Sequence, residues 1–350
     1  SILLDGGNQL VLISGAQTEV TSKANENADG IAGNAGSIEI RAGEFRLLQG
    51  AGIATTNFSR QGGAEQSAGD VTIVADTILI DGDIDSVPID NGEPVVTAVF
   101  ADVDDVDTEA RGGNVRLMAR EDITVTDGGQ IQVGTNGEGD SGTISLEAAG
   151  IIRVDDQAEL ISEAAKSRGG NVRLEGARSI VLENSEVNAV VLGGDKQGGN
   201  VTIYAERDVT IRGTTITTTT NSSEQAGNVA IAAGRFVRID GGSLIISKGE
   251  VGASGLITVS NTNDITVSGA TLSSETGGVV DGNRLRLDAD NDLQLTQGTL
   301  ITTSSDNAGN AGNVELAAGH LIDIANSSVL TESKDSQGGN ITLTAPNIIE

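Results

Sequence analysis

A short pattern recurs about a dozen times along the 350 residues: a small polar residue, often Asn after Gly-Gly, then aliphatic, any, aliphatic, any, Ala. The opening aliphatics are Ile2, Ile38, Val71, Val115, Ile144, Val172, Val201, Val229, Ile257, Leu285, Val314 and Ile341. From Val115 onward the gaps between them are 29, 28, 29, 28, 28, 28, 29 and 27 residues. A fixed period of this length marks a repeat array, in which each unit buries its apolar face only against its neighbours. Most residues then serve a scaffold, and specific chemistry is to be sought where the period breaks.

Within a unit, aliphatics alternate with other residues, as in Val201/Ile203, Val209/Ile211 and Ile216/Thr218. Period-two alternation is the pattern of a strand with one buried face. The small residue four positions after the opener, such as Ala119, Ala148, Ala205 or Ala233, suits a corner where larger side chains collide; Gly6, Gly176 and Asn261 are the exceptions. Three short strands and three turns per ~28 residues predict an all-β chain, a right-handed parallel β-helix with three sheets and about 12 coils. Successive coils spaced by ~4.8 Å make a rod of roughly 55 Å. About six buried aliphatics per coil, at ~1.5–3 kcal/mol each, offset much of the chain entropy without aromatics. The chain has four Phe, one Tyr and no Trp.

Residues 1–350 read as a single array, and both ends fall within a coil without a polar cap, so a segment of a longer protein is expected. Asn114, Asn171, Asn200, Asn228, Asn313 and Asn340 precede the opener, and stacked amides predict a rung-to-rung side-chain ladder. Gly before Asn is expected to supply positive φ at this corner.

Net charge of −29, from 50 acids and 21 bases, excludes nucleic acid as a partner because phosphate is repelled. The chain has no Cys and a single histidine, His320, which leaves no zinc or iron ligand set. No apolar run reaches the ~20 residues of a membrane helix. Neither a phosphate-binding loop nor a nucleophile elbow occurs, so no enzyme is expected. Thr214–Thr220 is not repeated on other coils, which argues against a flat ice-binding array.

The period breaks between Val71 and Val115, where residues 81–111 form an irregular acidic insertion containing Pro88 and Pro94. Asp81, Asp83, Asp85, Asp90, Asp102, Asp104, Asp105 and Asp107 are the candidate ligands for calcium, a hard cation that takes carboxylate oxygens; no other cofactor is expected. The same acids fit a solvated loop or, less readily, a catalytic set. In the third strand, Ile161, Ile245, Ile301 and Leu330 are expected to share an outward column, and are the candidate adhesive face.

Units such as Gly199-Asn-Val-Thr-Ile-Tyr-Ala205 with Asp208-Val-Thr-Ile-Arg-Gly213, and Gly339-Asn-Ile-Thr-Leu-Thr-Ala345, resemble the repeat region of filamentous haemagglutinin-like exoproteins of two-partner secretion systems. The resemblance implies a structural shaft or adhesive segment of a large secreted bacterial surface protein, acting in adhesion, aggregation or biofilm. It implies outer-membrane association, passage through an outer-membrane β-barrel transporter, and a host, cell-surface or carbohydrate receptor of unknown identity. The family's N-P-N-G secretion signature is absent from these residues, so engagement of the transporter by this segment is not implied. Two alternatives share the repeat pattern: a β-helix polysaccharide lyase or hydrolase, and an autotransporter passenger domain. An enzyme is expected to stack acids on adjacent coils in a groove, whereas the outward pairs of the first strand are mixed, as in Arg116/Met118, Ser145/Glu147, Arg173/Glu175 and Thr202/Tyr204.

Overall fold

In the computed structural model, the described residues are 1–16, 18–25, 33–58, 66–83, 89–90, 93–94, 96–104, 109–176 and 178–349, with residues 89–90 and 93–94 described in backbone only. Each coil runs through three strands, exemplified by Val201–Ala205, Asp208–Arg212 and Thr215–Thr220. Corresponding strands of successive coils pair in parallel, giving sheets of 12, 12 and 11 strands in which every neighbour lies one coil away. Among the described residues there is no helix. The chain is thus the expected three-sheet parallel β-helix, with coils that follow the sequence period.

The alternation read from sequence is the alternation of burial. Leu174, Ile203 and Ile231 stack in consecutive coils and are sealed from solvent, as are Val209/Ile211 and Val237/Ile239 in the second sheet. One continuous hydrophobic cluster runs from Ile13 to Ile322. The exception at Asn261 is a β-bulge: Asn261 takes φ of 52°, and Thr262 occupies the Ala column at 1% exposure, opposite Ala289.

The Gly-Gly-Asn corner works by a different mechanism from the expected one. None of Gly113, Gly142, Gly170, Gly199, Gly227 or Gly255 has positive φ. Instead, a Cβ on Gly227 would fall inside the carbonyl oxygen of Gly199, one on Gly199 would meet the Gly170 oxygen, and one on Gly255 the Gly227 oxygen. Glycine is required here because backbone stacks directly on backbone at each coil. The third-sheet hydroxyls that face inward satisfy these corners: Thr218 Oγ1 and Ser247 Oγ donate to the Gly227 carbonyl at 2.7 and 2.8 Å, and Ser162 to the Gly142 carbonyl at 3.1 Å.

The break in period is narrower than residues 81–111. Strand Thr77–Asp81 pairs regularly in the second sheet, and Ala98–Val103 is an ordinary rung of the third, between Gly52–Phe58 and Gln130–Thr135. The extra chain therefore leaves between the second and third strands, and its described part includes a short antiparallel pair, Ile89–Asp90 with Glu93–Pro94.

Candidate functional site

Ladder residues come first, because they recur most. Asn200 donates from its side-chain amide to Asn171 Oδ1 at 2.9 Å, and its own Oδ1 accepts the Asn228 backbone N–H at 2.9 Å. Asn228 Oδ1 in turn accepts the Leu256 N–H at 2.7 Å, and Asn313 Oδ1 the Asn340 N–H at 2.8 Å. Asn114 joins through Asp70 and Thr143, donating to Asp70 Oδ1 at 2.9 Å and accepting the Thr143 N–H at 2.9 Å. All six asparagines are therefore engaged in coil-to-coil stacking.

Among the described residues, the candidate aspartates do not come together. Asp81 closes a second-sheet strand, where its Oδ1 accepts the Asp83 N–H at 2.9 Å in a local turn. Asp102 and Asp104 stand at the end of a third-sheet strand, beyond the next corner. Among the described residues no three carboxylates converge as a cation cage. Asp85, Asp105 and Asp107 lie outside the described residues, and Asp90 is described in backbone only.

The adhesive column also needs correction. Strand register places Ile161, Asn188, Thr217, Ile246, Ser273, Thr302 and Leu330 in one outward column. Ile245 and Ile301 lie one residue away, on the inner face, and are fully buried. A shift of one residue exchanges the two faces of a strand. The column is thus more polar than expected, with Ile161, Ile246 and the 38%-exposed Leu330 as its aliphatic members on either side of Asn188, Thr217, Ser273 and Thr302.

On the outer surfaces of the first two sheets, charges pair with one another. Arg116 spans one coil to both carboxylate oxygens of Glu147 at 3.0 Å, and Arg173 holds Glu175. Asp240, almost fully buried, accepts from Arg212 at 2.9 Å and Arg238 at 2.6 Å; Arg212, then Arg238, hold its carboxyl below the usual range against the opposing effect of burial. Arg235 bonds Asp208 in the preceding coil and packs on the Phe236 ring at 4.9 Å. His320 repeats that device, with Nδ1 2.7 Å from Asp292 Oδ1 and the side chain 62% exposed.

One site departs from this pairing. A groove of about 320 Å³ runs along the outer face of the third sheet, lined by Phe58, Phe100, Asp102, Asp104, Gln132 and Glu163 among others. Strands Gly52–Phe58, Ala98–Val103, Gln130–Thr135 and Glu159–Ala164 form its floor. Register puts Asp102 opposite Gly134, and Gly134 opposite Glu163. Two acids thus share one column with a glycine between them, and their backbones stand ~10 Å apart, two strand spacings.

Asp102 is the unusual member. The residue as a whole is only partly covered, yet its Oδ1 is sealed from solvent and has no hydrogen-bond partner. Burial pushes the carboxyl up to about 7, with the charges of Asp104 and Glu163 adding to the rise and the Gly134 backbone opposing it. An unsatisfied buried acceptor costs ~1–3 kcal/mol. Sequence reasoning placed Asp102 in an acidic loop and did not single out Phe58, Phe100 or Glu163. The available signal was the match of Ala98-Val-Phe-Ala-Asp-Val103 to Gln130-Ile-Gln-Val-Gly-Thr135, which marks a rung with outward Phe and Asp.

No protein-family model, curated protein or solved structure matches the chain.

Proposed function

We propose that this chain is a shaft segment of a large secreted bacterial surface protein, one that holds adhesive surfaces away from the cell. The observation that carries the reading is where the recurrent residues go. Aliphatics fill one continuous core, corner glycines let backbone stack on backbone, and asparagines and inward hydroxyls tie each coil to the next. A body built this way transmits length and stiffness, since each coil contacts only its neighbours. The likeness of the repeat to filamentous haemagglutinin-like exoproteins supports export through an outer-membrane β-barrel partner and display at the cell surface.

A shaft tolerates loss of a whole coil, and that property is testable. Deleting residues 201–228 joins Asn200 to Val229 in register. The shortened chain should still fold cooperatively, and solution scattering should show a rod shorter by ~4.8 Å. Unfolding or aggregation of the deletion variant would contradict a modular shaft. The polysaccharide-active alternative has one observation behind it, the column of Asp102 and Glu163. It predicts release of new reducing ends from polysaccharide, whereas the shaft reading predicts none.

A further inference from the structure

Two of the chain's four phenylalanines, Phe58 and Phe100, stand on the outer face of the third sheet and line the same groove as Asp102. Phe100 stands in an outward column whose other members are Thr, Ala, Gln, Ile, Asn, Ser or Leu, so the rung itself does not require an aromatic there. We propose that this groove is a binding subsite for a neutral saccharide, lying along the rod axis.

Four observations select that chemistry. First, a groove of this volume falls at the lower end of small-ligand sites, which begin at ~300 Å³ and combine apolar walls with a few polar groups. Its floor crosses four rungs, or ~14 Å, which suits an extended chain of rings better than a single compact ligand. Second, the electron-rich face of an aromatic ring attracts the weakly positive C–H groups of a pyranose, and Phe58 and Phe100 line the groove beside polar neighbours. Third, Asp102 and Glu163 line the groove, and carboxylates accept from sugar hydroxyls. Gln132 on the next rung presents both a donor and an acceptor, the pairing that a hydroxyl needs. Fourth, Asp104, Glu163 and the overall charge of −29 repel an anionic ligand. A bare divalent cation would require several converging oxygens, and no such group exists among the described residues.

Among the described residues, the groups that titrate around Asp102 are few. Asp104 lies on the same segment, Glu163 and Glu159 on strand Glu159–Ala164, and Lys23 two rungs away; strands Gly52–Phe58 and Gln130–Thr135 carry no titratable side chain. Raised toward neutrality by burial, Asp102 is a neutral donor and acceptor below about 7 and a charged acceptor above it. Binding is therefore expected to change with pH across that value.

The test uses the full chain with cellohexaose, maltohexaose and chitohexaose as neutral probes and hexagalacturonate as the anionic one, read by saturation-transfer NMR and titration calorimetry. At least one neutral probe should bind with a Kd of about 1 mM or tighter, and hexagalacturonate should not. Phe100→Ala should weaken that binding about tenfold or more at an unchanged melting temperature. Gln132→Ala, on the neighbouring rung, gives the same readout should Phe100→Ala fail to fold. Asp102→Asn, neutral at every pH, should flatten the pH dependence of whatever binding remains. The proposal is overturned if no neutral probe binds at about 5 mM, if hexagalacturonate binds best, or if folded Phe100→Ala and Gln132→Ala bind within about twofold of the parent. Neither result depends on the coil-deletion experiment, so the groove and the shaft fail separately.

Discussion

Asp102 and Gly227 show how differently one residue is constrained in this rod. Gly227 is fixed by space: its missing Cβ would overlap the Gly199 carbonyl oxygen, and no rotamer change relieves a clash between two backbones. Gly227→Ala should therefore cost several kcal/mol in denaturant unfolding. Gly33→Ala should be close to neutral, because Gly33 lacks positive φ and a Cβ there meets nothing within 4 Å. Equal costs at the two positions would refute the stacking argument. Asp102 is constrained by charge. Its carboxyl moves from an ordinary 3.8 to about 7 in the fold, so between those values the folded chain holds a proton that the unfolded chain has lost. Stability then falls as pH rises through that window and levels off above about 7. Asp102→Asn removes the effect. Relative to the parent, the variant should gain roughly 1–3 kcal/mol between pH ~4 and ~8, less than the full shift allows because the residue is only partly covered. A stability difference that stays constant over that range would show that Asp102 ionises normally.

At the level of the strand, legibility in the sequence tracks how sharply each sheet separates its two faces. The first and second strands alternate aliphatic with polar or charged residues, as in Val172-Arg-Leu-Glu and Asp208-Val-Thr-Ile-Arg212, and their register is read directly. The third strand blurs the contrast. It places Ser247 and Thr303 inward, where they serve corner carbonyls, and Leu244, Ile246 and Leu300 outward. Hydrophobicity alone then slips by one residue, which is why Ile245 and Ile301 were expected on the surface and lie in the core. The inserted segment hid the groove for a related reason. Asp102 and Asp104 continue into Asp105-Val-Asp107, so the run reads as acidic loop although Ala98–Val103 pairs on both sides. The ladder was legible because Asn recurs at one phase of the period. The corner glycines were legible as a motif, but their cause was not, since close backbone approach appears only when coils are stacked.

At the level of the whole molecule, one rule produces everything else: each coil lies on the last in parallel, displaced by one period. Core, ladders, corner stacking and the four-rung groove all follow from that displacement, and so does the reading of the chain as a shaft. The absence of Cys from the sequence allows a direct test. Thr202 and Ala230 are partners in adjacent rungs of the first sheet, with side chains on the outer face, whereas Val229 points inward. Partners one strand spacing apart, at ~4.8 Å, fall within the ~4.4–6.8 Å between Cα atoms that a disulfide spans. The double variant Thr202→Cys/Ala230→Cys should oxidise nearly completely to an intramolecular disulfide while the native melt is retained. The control Thr202→Cys/Val229→Cys should stay reduced. An unlinked first pair, or equal linking of both, would contradict the parallel one-period stacking on which the account rests.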